Sequence, residues 1–194
     1  MELLVIALDT KSGQRLRWTG RRHDDDEPDW ARGDSDQDLF DSVFHAILDG
    51  EQVAVGVDSP LTAPLPEGLV GDAASDETKV LEVADAVPPT AGRIRLNRLL
   101  EELGRWRPWT AVTTSRQHWL ATRSILVWEA AATPDDSVRE FFDFVRRSST
   151  WDQHGPTYGP PAVVNLAIAA ALRAGVVAGW AELTQPVLAL PTMT

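Results

Sequence analysis

Three acidic side chains each close a short apolar run: Asp9 after residues 3–8, Asp58 after residues 53–57, and Glu129 after residues 125–128. Runs of this length, rich in branched residues, read as buried strands. In an open α/β sheet, ligands bind beyond the carboxyl ends of the strands. Carboxylates gathered there repel one another unless a cation lies between them, and a hard all-oxygen set suits Mg²⁺ or Mn²⁺. Two such ions about 3.5–4 Å apart clamp the attacking and leaving oxygens of a phosphodiester. Asp9, Asp58 and Glu129 are then the candidate ligands for such ions. The plain alternative is that acids end strands because loops are polar.

A second set of residues is cationic. The chain of 194 residues has a net charge of −11, yet residues 91–150 carry ten basic against seven acidic side chains. Arg93, Arg95, Arg98, Arg105, Arg107, Arg116 and Arg123 stand there among Trp106, Trp109 and Trp119. Arginine on phosphates and aromatic faces on bases would make a nucleic-acid path, with Arg93, Arg95 and Arg98 lining the substrate strand. The competing reading is an Arg-rich helix face with its tryptophans in the core. His118 and His154 are either proton carriers or structural groups. The acidic stretch 23–29 reads as a solvated loop, because neighbouring carboxylates point apart and the alternation of an EF-hand is missing.

Other chemistries are excluded. There is no cysteine, hence no disulfide framework, thiolate nucleophile, zinc ribbon or iron–sulfur site. Neither of the Gly-rich phosphate signatures nor a G-x-S-x-G elbow occurs. Residues 1–8 are apolar but lack a basic n-region, and residues 162–172 are too short to span a bilayer. A soluble cytoplasmic protein is expected.

The elements that must position these residues follow from period and punctuation. Residues 3–9 and 15–19 read as a hairpin. A helix capped by Asp34 or Ser35 runs to a stop at Gly50, and a second buried strand follows at 53–57. That order suggests an α/β sheet. Residues 61–92, rich in Pro, Gly and acids, read as a long functional connection, with one short element at 79–87. Helices are expected at 93–103, stopped by Gly104, at 115–123 and at 134–147. Residues 105–109 read as extended. Pro161 is expected to open an Ala-rich helix ending at Gly175, and residues 186–191 to form an edge strand.

These landmarks resemble one family. Val5-Ile6-Ala7-Leu8-Asp9, Gly56-Val57-Asp58-Ser59-Pro60-Leu61, Val127-Trp128-Glu129-Ala130 and the Ala-rich residues 162–172 follow in the order seen in the predicted RNase H-like nuclease family, also called domain of unknown function 429. The Gly-Val-Asp-Ser-Pro-Leu block is the most specific, and residues 93–103 are similar to an Arg-bearing helix of that family. The resemblance implies one ribonuclease H-like α/β domain over residues 1–194: a mixed sheet with an N-terminal hairpin, flanking helices, a long insertion around 62–92 and an acidic site at one end. It implies that Asp9, Asp58 and Glu129 fall on the acidic site of a metal-dependent nuclease. Asn165 stands where the final helix of that family brings an aspartate. An amide there weakens the hold on a second ion, so restoring the acid by Asn165→Asp is expected to test activity; Asp152 is a candidate substitute. The other reading of Asn165 is a polar residue near a helix start that bonds to backbone. Two further functions stay open: a catalytically degenerate domain binding a ligand or protein, and nucleotide binding or hydrolysis within the same fold group.

Overall fold

All six residues 3–8 are buried, because this run lies between helices on both faces of a sheet. A computed structural model of the chain describes residues 2–9, 17–22, 29–69, 76–130, 133–146 and 163–189. β1 (Leu3–Asp9) pairs antiparallel with β2 (Arg17–Arg22), which pairs antiparallel with β3 (Asp29–Gly33). On its other side β1 pairs in parallel with β4 (Gln52–Val57), and β4 with β7 (Ser124–Glu129). Beyond β7 lie β6 (Ala111–Thr113) and β9 (Val177–Ala178), both parallel to it. The result is a mixed seven-stranded sheet of order β3-β2-β1-β4-β7-β6-β9. A separate antiparallel pair joins β5 (Thr62–Pro64) to β8 (Val163–Asn165).

Six α-helices cover this framework among the described residues. Leu4, Ile6 and Leu8 of β1 share one core with α1 (Asp36–Asp49), α3 (Ala91–Trp106) and α6 (Leu166–Ala174). Leu3, Val5 and Ala7 point the other way, toward α5 (Pro134–Arg146) and Trp119 of α4 (Arg116–Ala121). This is the period-two alternation of a strand. α2 (Glu77–Ala86) packs with β5, β8 and α6 in a third cluster. No helix among the described residues is long and apolar enough to cross a membrane.

Several boundaries differ from those expected, each for a physical reason. Ser35 does cap α1, and Gly50 ends it with φ +80°. The segment 79–87 is helical from Glu77, capped by Asp76. Gly104 does not stop α3, which runs on to Trp106. Its missing side chain instead lets α3 meet the backbone carbonyl of Ala174 on α6. The Ala-rich helix starts at Leu166, not Pro161: Val163 and Val164 form strand β8, and Asn165 caps the helix. The outer strand is β9; of the expected 186–191 strand, the described residues 186–189 contribute a bridge from Ala189 to Glu129. β3 and β6 carry too little alternation to be read from sequence. Residues 23–28 and 151–160, with Asp152 and His154, lie outside the described residues.

The α3–α6 crossing gives a direct prediction. A Cβ on residue 104 would collide with backbone, which cannot swing aside. Gly104→Ala should lose about 1–3 kcal/mol, read as a lower urea midpoint at unchanged slope.

Candidate functional site

The three expected acids end three neighbouring parallel strands. Leu8 pairs with Val57, so Asp9 and Asp58 are the next residues at one level of β1 and β4. Glu129 pairs with Val57 and stands one residue lower on β7. Parallel strands lie about 4.8 Å apart, so the three backbones emerge side by side at one sheet edge.

Asp9 lines a depression of about 560 Å³ with Arg32, Asp34, Asp38 and Asp135. Arg32 there donates to Asp135 at 2.7 Å. Asp58 follows the strand in a bend beside the start of α3: a Cβ on Gly92 would lie 2.6 Å from Ser59 Oγ and 3.1 Å from Asp58 Oδ1. A side chain at residue 92 would need Ser59 and Val57 to shift, so glycine suits the close start of α3 against the end of β4. Glu129 turns to β5, where its Oε1 accepts from Leu61 N at 2.7 Å and from the Thr62 hydroxyl at 3.5 Å.

Glu129 is raised above the ordinary carboxylate range by burial, against hydrogen bonds from Leu61 and Thr62 that hold it down. Repulsion from another carboxylate is not among the causes. Among the described residues no three His, Asp or Glu side chains lie close enough to hold a metal ion together. In this arrangement Asp9 and Asp58 are suited in chemistry and level to a hard cation, and Glu129 is engaged elsewhere.

The raised Glu129 has a consequence for stability. The folded state holds this proton more tightly than the unfolded chain, so stability falls as pH rises from the ordinary carboxylate range through the raised value. Glu129→Gln keeps the oxygen facing Leu61 and has no proton to lose. Denaturation midpoints followed across that window should decline for the wild type relative to Glu129→Gln; parallel curves would show that burial has no such effect.

Asn165 is brought near the acids by backbone only. Thr62, which donates to Glu129, pairs with Asn165 across β5 and β8. The Asn165 side chain is fully buried and points inward. Its Oδ1 accepts from Ile168 N at 3.1 Å as the cap of α6, and its Nδ2 donates to Thr114 Oγ1 at 2.8 Å and to Gln185 O at 3.2 Å. Both ends of the amide are committed, which is the arrangement expected of a helix cap and not of a ligand facing the sheet edge.

The arginines do not form one strip. Arg93 is buried, and its Nη1 donates to Pro88 O at 3.1 Å. Arg95 and Arg98 lie on the opposite side of α3 and both hold Asp36 Oδ2, at 2.6 and 2.8 Å. Trp119 is a core residue whose Nε1 donates to Val53 O, whereas Trp106 and Trp109 are 64% and 66% exposed. The Arg107 guanidinium lies 5.4 Å from the Trp109 ring centre.

One polar centre was missed from sequence. Glu182, 6% exposed, accepts from Thr113 Oγ1 at 2.8 Å, from Thr114 N at 2.8 Å and from Thr114 Oγ1 at 3.3 Å. His118 Nδ1 lies 3.1 Å from its Oε1. Through Thr114 Oγ1 this network reaches Asn165. The available signal was a lone acid inside the apolar stretch Trp180-Ala181-Glu182-Leu183. A scan of protein-family models, a search of curated proteins and a search of solved structures each returned no match. The family resemblance therefore rests on the residues quoted for it.

Proposed function

We propose that the protein is a ribonuclease H-like domain that hydrolyses phosphodiester bonds of nucleic acid with Mg²⁺ or Mn²⁺ at the carboxyl edge of β1, β4 and β7. One observation carries this reading: three adjacent parallel strands each end in a carboxylate within one residue of the same level. The antiparallel strands β1 to β3 and the helices on both faces also agree with such a domain. Asp9 and Asp58 are the residues assigned to the cation. Glu129 accepts from Leu61 and Thr62 through Oε1, so Oε2 is the oxygen it would offer beside them.

A second reading, a domain that binds without cleaving, draws on the buried amide of Asn165. Four carboxylates reduced to three, one of them hydrogen-bonded to backbone, hold two ions poorly.

The test has two readouts. Mg²⁺ or Mn²⁺ at a hundred times its dissociation constant should stabilise the wild type by about 2.7 kcal/mol, and Asp9→Asn should lose that gain. Labelled single-stranded and hybrid substrates should be cut with Mn²⁺, and Asp9→Asn or Asp58→Asn should slow cutting about a hundredfold or more. Metal stabilisation without cleavage supports the binding reading. No stabilisation of any form removes the cation site.

A further inference from the structure

A different part of the molecule holds a buried arginine that forms no ion pair with a described residue. Arg93, Asn97 and Glu101 follow at helical spacing on the side of α3 that faces α2 and α6. Between the three helices is a cavity of about 270 Å³. α3 and α6 touch at Gly104 and Ala174, so the small residues Ala169 and Ala170 form a smooth apolar wall between that contact and Arg93.

Arg93 is only 9% exposed. Burial lowers its pKa, and no carboxylate opposes that effect. The guanidinium remains charged, since arginine does not lose its proton in proteins. Among the described residues its one hydrogen bond is to the Pro88 carbonyl, and no acid forms an ion pair with it. Asn97, one turn along the same face, makes no hydrogen bond to another described residue. Arg173, at the far end, is already held by Asp85. A forked cation and an amide thus face a cavity of mixed lining, polar along α3 and apolar along Ala169 and Ala170, with most of their donors unused. The donors that Pro88 leaves open face the cavity, and an anion bound there would take them in charge-assisted hydrogen bonds.

We propose that the α2–α3–α6 cavity binds a small organic monocarboxylate, with its carboxylate on the Arg93 guanidinium and Asn97 amide and its apolar body along Ala169 and Ala170. Charge decides for a carboxylate over a phosphomonoester. The lining carries Arg93 and Arg173 against Asp85 and Glu101, so it is neutral overall, and a dianion meets more repulsion there than a monoanion does. The site does not rest on the proposed nuclease reading: it shares no residue with the strand-end acids, and its test uses no metal.

Hexanoate and benzoate are suitable probes, with inorganic phosphate, hexanol and sodium chloride at matched ionic strength as controls. Binding is followed on the whole chain by thermal shift and by NMR line changes, with probes to on the order of 10 mM. At least one carboxylate should raise the melting temperature, and the three controls should not. Arg93→Gln should weaken that probe about tenfold or more. Ala170→Leu, which fills the cavity and keeps Arg93, should abolish binding. If Arg93→Gln does not fold, the Ala170→Leu result decides alone. The proposal is overturned if neither carboxylate binds, if phosphate or chloride gives the same shift, or if the cavity-filling variant binds as well as the wild type.

Discussion

Asn165→Asp should destabilise the protein by about 3 kcal/mol or more at neutral pH. The substitution changes one atom group, and on family resemblance it is a restoration. The contacts argue otherwise. Nδ2 now gives hydrogen bonds to Thr114 Oγ1 and the Gln185 carbonyl. An aspartate oxygen in its place would face that carbonyl as a second acceptor, in a site with no solvent exposure. The new charge would also sit one hydroxyl away from Glu182, because Thr114 Oγ1 contacts both residues. The α6 cap through Oδ1 survives, so the helix start is not the cause of the loss. Urea titration and a mild-acid series measure this: the deficit should shrink as pH falls and the new carboxyl takes a proton. A variant as stable as the wild type would mean that residue 165 reaches solvent and is free to serve the acidic edge.

Glu182→Ala should have an effect of similar size, again about 3 kcal/mol or more. Among the described residues its carboxylate is the only acceptor for the Thr114 N–H, and it also takes the Thr113 and Thr114 hydroxyls. Thr113 and Thr114 are 0% and 3% exposed, so water does not replace the lost oxygen. Glu182→Gln retains one acceptor and should fall between alanine and wild type. His118→Ala should cost much less, since that side chain is half exposed and removing it leaves the threonine contacts intact. Hydrogen exchange at the Thr114 amide separates the cases: protection should collapse in Glu182→Ala and survive in His118→Ala.

The strands that matter most for the edge were legible because they are buried on both faces. Residues 3–8, 53–57 and 125–128 are continuous apolar runs, and a carboxylate immediately after each is a local pattern. The helices with clean caps were legible for the same kind of reason: Ser35, Ser115 and Gly50 act within one turn of themselves. Gly104 and Asn165 were read differently because their roles depend on a neighbour far along the chain. A glycine in a helical pattern signals a stop when only the pattern is seen, and a close helix contact when Ala174 lies against it. Asn165 counts as a missing ligand by alignment with an acid, and as a cap once Ile168, Thr114 and Gln185 surround it.

Sequence alone determined the α/β class, the three central apolar strands and the placing of Asp9, Asp58 and Glu129 at their ends, since hydrophobic period and turn chemistry are properties of short segments. Tertiary structure decided where those carboxylates aim, that Arg93 turns from Arg95 and Arg98, and that Glu182 is buried. Each of those outcomes depends on which distant donor or apolar wall meets a side chain, and chain separations such as 68 residues from Leu61 to Glu129 or 69 from Thr113 to Glu182 leave no trace in local pattern.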